Sequence, residues 1–268
     1  MPFDRPFPPP PPAPLRTMFL SDLHLGAIGS RPDLLLDWLQ ARRAERYVLV
    51  GDILDLWHPL LPHWTEADQA VIDHLNARAA QGADLVYVRG NHDPAPEAAP
   101  LHARLSARPV DAHVHAAGDG RRLLVVHGDQ ADSRLVRTHL ATRLGSLLHH
   151  LLLRLDRRLR RLRRQGSGEA RSVIEAAITS LNALAYSGRA HERAMVALAR
   201  QAGLDGVICG HFHIAGLHDD HGLTYANCGD WVDSFTLLEE SHDGRLTLRG
   251  GRSVLAGAAA QAPVLVQA

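Results

Sequence analysis

Five short apolar runs constrain this chain more than any other feature: TMFLS (17–21), YVLVG (47–51), LVYVRG (85–90), RLLVVHG (122–128) and GVICG (206–210). Apolar runs of this length bounded by turn residues read as buried strands. Each delivers polar side chains at its carboxyl end. Asp22 and His24 follow the first in SDLHLG, Asp52 and Asp55 the second in GDILDLW, and Asn91, His92 and Asp93 the third in GNHD. His127 closes the fourth in VVHGD, and His211 and His213 follow the fifth in CGHFH. Between the first three runs, residues 32–43 and 66–81 carry apolar side chains at helical spacing, Leu35, Trp38 and Leu39 in one and Ala70, Val71, His74 and Leu75 in the other. Alternating strand and helix predicts an α/β fold with covered sheet faces. In an open sheet of that class, ligands bind beyond the carboxyl ends of the strands. Further short β segments are expected at 223–229, 235–240 and 245–250.

The residue types at that edge specify a chemistry. Carboxylates, imidazoles and one amide oxygen, without a thiolate, suit divalent manganese, iron, zinc or magnesium. Seven such groups are too many for one ion and about right for two if one carboxylate bridges. Two ions about 3.5–4 Å apart polarise a phosphoryl oxygen and lower the pKa of a shared water, which serves hydrolysis at phosphorus. Taken singly, a DxH or HxH pair is an ordinary surface feature, and GD and GN are ordinary turn dipeptides. All five pieces, in order, each after a strand, form a joint signal.

Composition removes other chemistries. All 29 basic residues are arginine, which excludes a Schiff-base lysine or a lysine-dependent phosphate loop. The formal charge is zero, so a globally basic nucleic-acid binder is not indicated, and no specific nucleic-acid partner is expected. Two cysteines, Cys209 and Cys228, allow neither a disulfide scaffold nor a four-thiolate zinc site. Residues 1–16 are a proline-rich tail, residues 17–255 the folded domain, and residues 256–268 a loosely ordered alanine-rich tail. No run approaches the roughly 20 apolar residues of a membrane span. With few cysteines and no export signal, a cytoplasmic protein is expected.

DLH, GDILD, GNHD, HGD and GHFH together resemble the five blocks of the calcineurin-like metallophosphoesterases, over residues 18–238. The resemblance implies a four-layer α/β/β/α sandwich of two mixed sheets with a two-metal centre at one end. Carried over by motif, Asp22, His24 and His213 would bind one ion, Asn91, His127 and His211 the other, and Asp52 would bridge. Two divalent ions, manganese first among the candidates, are the implied cofactors. His92 would act near the leaving-group oxygen, as proton donor or as stabiliser of developing charge. Asp93 beside it, and Asp55, would orient His92 and the ligands, the alternative being plain turn or helix-cap carboxylates.

The GDILDLW block, a long helical stretch after HGD, and NCGDWVDS after the last histidine resemble the UDP-2,3-diacylglucosamine diphosphatase group more narrowly. That group splits the diphosphate of an acylated nucleotide sugar in lipid A synthesis, releasing UMP and a lipid sugar phosphate. The best-known branch has GNRD where this chain has GNHD, the form of the second branch and of metallophosphoesterases in general, so the substrate stays open while the reaction type does not. Rival readings are a phosphodiesterase or phosphatase on soluble nucleotides and, in another class, a non-catalytic scaffold of the same fold.

Between His127 and His211, residues 133–202 read as an inserted helical cap. Leu140, Leu144, Leu148, Leu151, Leu155, Leu159 and Leu162 form one apolar stripe, and arginines crowd residues 154–164. An ordinary packed stripe with a solvated basic face is one reading. The other is a cap that shelters acyl chains and sets arginines against phosphates or a membrane surface, the inner face of the cell membrane being the expected partner. His139, His149, His150, His191, His218 and His221 are read as surface or helix filling. Asn227, Gly229 and Asp230 are read as shaping a turn beneath the site, a substrate contact by Asp230 or Trp231 being the alternative, and Trp57 and His58 as packing, with lining of the substrate groove the alternative.

Overall fold

The structure, a computed structural model, describes residues 14–56, 63–95, 98–131 and 189–250. Eleven strands fall into two sheets. The first contains β1 (Leu15–Leu20), β2 (Ala44–Val50), β3 (Asp84–Val88), β4 (Pro109–Val110), β10 (Thr236–Glu240) and β11 (Leu246–Gly250), in the order β11-β10-β1-β2-β3-β4. The second contains β5 (His113–Ala116), β6 (Arg122–Val125), β7 (Gly206–Cys209), β8 (Gly216–His218) and β9 (Thr224–Asn227), in the order β5-β6-β7-β9-β8. Both are mixed. β1, β2, β3 and β4 run parallel, with β10 antiparallel to β1; β6, β7 and β9 run parallel, with β5 and β8 antiparallel at the edges.

The apolar runs are continuous because both faces of each sheet are covered. Met18 and Leu20 of β1 and Tyr47 and Leu49 of β2 join Leu35, Trp38, Val71 and Leu75 from α1 (Pro32–Ala41) and α2 (Glu66–Ala80). Phe19, Val48 and Val50, on the opposite face, meet Leu123, Val125, Ile208 and Ala226 of the second sheet. Beyond that sheet, Val207 and Tyr225 pack on Met195, Val196 and Ala199 of α3 (Ala190–Gln201). This is the expected α/β/β/α order. Local sequence sets the helix ends: Pro32 opens α1, and Thr65 with Asp68 forms a reciprocal capping box at the start of α2.

Three short strands, β4, β5 and β8, were not among the expected elements. β1 begins at Leu15, two residues inside the stretch assigned to the tail, because Leu15 pairs with Ala44. Residues 1–13 and 251–268, Trp57 and His58, and the leucine stripe and arginine cluster of residues 140–164 lie outside the described residues. Among the described residues no helix is long and apolar enough to cross a membrane.

Candidate metal centre

Five parallel strands, three from one sheet and two from the other, end at the same edge of the sandwich, and their following turns are laced together. Asp22 donates its N–H to Gly51 O, His24 to Asp52 O, Gly210 to His127 O and Trp231 to Asp22 O, all at 2.9–3.0 Å. The turns are strained. Seven non-glycine residues among those described have positive φ, and five are Asp22, His24, Asp52, His211 and His213. A left-handed conformation costs an ordinary residue about 1–2 kcal/mol and persists only where its surroundings enforce it. Crowding adds to the constraint: a Cβ on Gly90 would lie 2.2 Å from Asp52 Oδ1, so only glycine lets the GNHD turn close over that carboxylate.

Three groups of side chains lie close enough to share a cation: Asp22, His24 and His213 form the first cluster, Asp52, His127 and His211 the second, and His24, Asp55 and His92 a third that adjoins the first. In the first, His213 Nε2 lies 3.2 Å from Asp22 Oδ1 and 3.3 Å from His24 Nε2. In the second, His127 Nε2 lies 3.2 Å from both Asp52 Oδ2 and Asn91 Oδ1. Asp52 Oδ2 is also 3.9 Å from His24 Nε2, which places it between the clusters. Metal–ligand bonds of about 2.0–2.2 Å put neighbouring donors about 3.0–3.4 Å apart, so these spacings fit cations.

Hydrogen bonds determine which atom of each group faces inward. Asp52 Oδ1 accepts the His92 N–H at 2.7 Å, leaving Oδ2 for the centre. Asp22 Oδ2 accepts from Ser21 Oγ and, at 2.9 Å, from the His211 N–H, while buried Oδ1 has no hydrogen-bond donor. His127 Nδ1 meets Val50 O at 3.0 Å, His24 Nδ1 meets Asp55 Oδ2 at 3.4 Å, and His213 Nδ1 lies 3.9 Å from Asp230 Oδ1. His127, His24 and His213 therefore turn Nε2 inward, and such support behind a ligand fixes its orientation and tautomer.

Burial opposes charge on Asp22, Asp52, His127 and His213, and mutual pairing overcomes it. Burial raises the Asp22 carboxyl, but facing His213 brings it down to about 2. Asp52 is likewise held well below its ordinary value, chiefly by His127 against burial. Burial lowers the imidazoles, yet Asp230 and Asp22 bring His213 up to about 9 and Asp52 lifts His127 well above its usual range. The carboxylates are thus balanced by shared protons, which the charge of bound cations would replace.

His92 sits beside the first cluster, its ring edge-on to His24 at 4.9 Å. Its Nδ1 faces Asp55 Oδ2 at 3.2 Å, and against burial Asp52 and Asp55 bring it up to about 9. Asp93, expected to act with His92, instead works on the backbone. Its oxygens accept the N–H groups of Asp52, Ile53, Leu54 and Gly90 at 2.8–2.9 Å, pinning the turn that presents Asp52. Asp93 is a positioning residue, and Asp55 is the carboxylate that reaches both His92 and His24. Burial and the Asp52 charge push Asp93 up to about 6. Asp230, read as shaping a turn with a substrate contact as the alternative, caps the N–H groups of Val232 and Ser234 and also stands behind His213. Asn227 steadies the last motif by donating to Gly210 O at 2.8 Å.

Residues 15–215 match the model of a family described as calcineurin-like phosphoesterase. The chain belongs to that family. As a calcineurin-like phosphoesterase it is a metal-dependent phosphoester hydrolase, and its clustered histidines and aspartates are suited to the divalent metals such enzymes use. Two UDP-2,3-diacylglucosamine hydrolases, from serogroup B and serogroup C strains of Neisseria meningitidis, are each 27% identical over 240 residues, covering 84% of this chain and 94% of theirs. Among solved structures, a Vps29 variant from Entamoeba histolytica is 15% identical with a TM-score of 0.45, covering 87% of this chain and 89% of its own. The phosphoesterase YfcE from E. coli is 16% identical with a TM-score of 0.39, covering 87% and 98%.

Proposed function

We propose that this phosphoesterase uses two divalent ions, manganese foremost, to hydrolyse the diphosphate of UDP-2,3-diacylglucosamine or a similar lipid-linked nucleotide sugar, releasing UMP and a lipid sugar phosphate. The observation that carries the two-ion reading is the position of Asp52 Oδ2 between two donor clusters. The substrate class is supported by the two named relatives, which match this chain over most of their length.

Asp22, His24 and His213 would hold one ion, Asn91, His127 and His211 the other, and Asp52 both. Ions bound there polarise a phosphoryl oxygen and make water a hydroxide source near neutral pH. The chain supplies the rest. Asp55 holds Nδ1 of His92, so the proton His92 offers to the departing oxygen is on Nε2. Asp93 keeps Asp52 in register by gripping its turn. A diacylated substrate resides at a membrane, which makes the membrane surface the proposed partner, with the leucine and arginine pattern of residues 140–164 as the contact.

The test is a turnover panel with added Mn²⁺. Release of UMP from the diacylated UDP-sugar in detergent, with little turnover of soluble nucleotide diphosphates, is expected. The GNHD form with His92, common to a second branch of the diphosphatase group and to metallophosphoesterases in general, fits a second reading as well, a phosphoesterase on soluble substrates. Equal or faster turnover of soluble phosphoesters would establish it.

A further inference from the structure

We infer that His191, in the first turn of α3, is a positioning residue for the second donor cluster, its ring packed so that the HGD and GHFH turns keep the spacing at which His127 and His211 converge with Asp52. The inference rests on the two-ion reading above and adds a histidine that no ligand motif contains. His191 is 7% exposed. Its ring centroid lies 4.3 Å from that of Phe212 and 6.2 Å from that of His211. On its other side is Gly128 of the HGD turn, with φ of +125°. A Cβ there would lie 3.2 Å from both His191 Nε2 and His211 Cβ, so three chain segments pack tightly at one point.

The contact falls where the backbone needs support. His211 has φ of +74°, and the Phe212 N–H bonds back to Gly210 O at 3.0 Å, a tight three-residue turn. One side of that turn is tied down by the bond from the His211 N–H to Asp22 Oδ2. The other side is Phe212, against the His191 ring. α3 gives that ring a rigid base, because Met195, Val196 and Ala199 are buried against the second sheet. The next residue along, Glu192, faces away from the centre and engages His221 Nε2 at 3.0 Å and His218 Nε2 at 3.3 Å, which fixes the rotation of the helix. The ring contacts fall on His211 and Gly128, which belong to the second cluster's turns, so loss of His191 should weaken one ion and spare the other.

The experiment is Mn²⁺ titration calorimetry, with metal counted after desalting, on the full chain and on His191→Ala, His191→Asn and His191→Phe, with thermal melting alongside. Wild type should take up two ions. The Ala and Asn variants should keep one at wild-type affinity and bind the other about 10- to 100-fold more weakly, the usual effect of removing support behind a ligand. The Phe variant, which preserves a ring against Phe212, should recover most of that loss. Should Ala fail to fold, the difference between Asn and Phe decides. Two ions of undiminished affinity in Ala or Asn overturn the inference while leaving the two-ion reading intact, and a Phe variant as weak as Ala overturns the packing role. A wild-type chain that takes up a single ion overturns the two-ion reading itself, and this inference with it.

Discussion

Glu240 and Asp22 are both fully buried carboxylates beside histidines, yet their surroundings are opposite in kind. Glu240, between the sheets, has both carboxylate oxygens hydrogen-bonded: Oε2 meets His115 Nε2 at 2.8 Å, Oε1 accepts the Gly118 N–H at 2.8 Å, and Arg16 Nε stands 3.5 Å away. Asp22, at the carboxyl edge, keeps one oxygen without a donor and faces imidazoles that face each other, on backbone held in the left-handed region. An ion pair that serves only the fold satisfies its atoms locally, since an unmatched buried charge is costly. A cluster left open, strained and braced from behind is arranged for something that binds. The comparison separates two uses of buried charge within one sandwich.

The largest difference should appear on substituting the shared carboxylate. Asp52→Asn keeps shape and the bond from the His92 N–H but removes the charge between the clusters. Hydrolysis should fall about 10³-fold, the upper range for loss of one preorganised electrostatic group, measured at equal folded fraction. Retention of more than a tenth of wild-type turnover would remove Asp52 from the centre. His115→Ala should show the reverse pattern. Removing one partner of a buried pair costs about 3 kcal/mol or more, read as a lower urea midpoint, while turnover in the folded state persists. Equal loss of activity and stability in both variants would erase the distinction.

Metal should sharpen it further. Mn²⁺ at about 100 times its dissociation constant stabilises a protein by about 2.7 kcal/mol per site. Wild type and His115→Ala should gain the same increment over chelated samples, and Asp52→Asn should gain much less. A smaller increment in His115→Ala would mean that the two charged regions are coupled.

The edge cluster was readable in advance because it follows local rules: apolar runs mark strands, and a polar residue just after a run lands at the strand's carboxyl end. That logic brought ten residues to the edge, and the family resemblance picked the seven donors and His92 out of them. The same logic could not tell Asp93 from Asp55. Both follow a ligand by two or three positions, and which one turns toward His92 depends on contacts between different strand ends. His191 and Asp230 belong to a helix and a turn remote in sequence from the turns they brace, so nothing local distinguishes them from filler. The structural pair was invisible for a similar reason. HVHA at residues 113–116 alternates histidine with small or branched residues and carries no apolar run, so β5 and the partner of Glu240 went unread. β4 is two residues long and starts with proline, which gives pattern reading nothing to count.

The smallest effect is a pH dependence that belongs to the closed pair alone. Burial raises the Glu240 carboxyl, but His115 and the Gly118 N–H outweigh it and hold the group below its ordinary value. A carboxylate lowered in the folded state contributes stability that is fully present above its unfolded value, about 4.3, and disappears as pH falls through the folded one. Glu240→Gln cannot titrate. The gap in urea midpoint between wild type and this variant should be widest near neutral pH and close progressively below about pH 4, with metal chelated throughout. Because Asp52 and Asp22 are unchanged in the variant, their own acid sensitivity cancels in the comparison. Midpoint curves that stay parallel down to pH 3 would show that the Glu240 charge adds nothing to the fold, and the contrast with the open cluster would then rest on geometry alone.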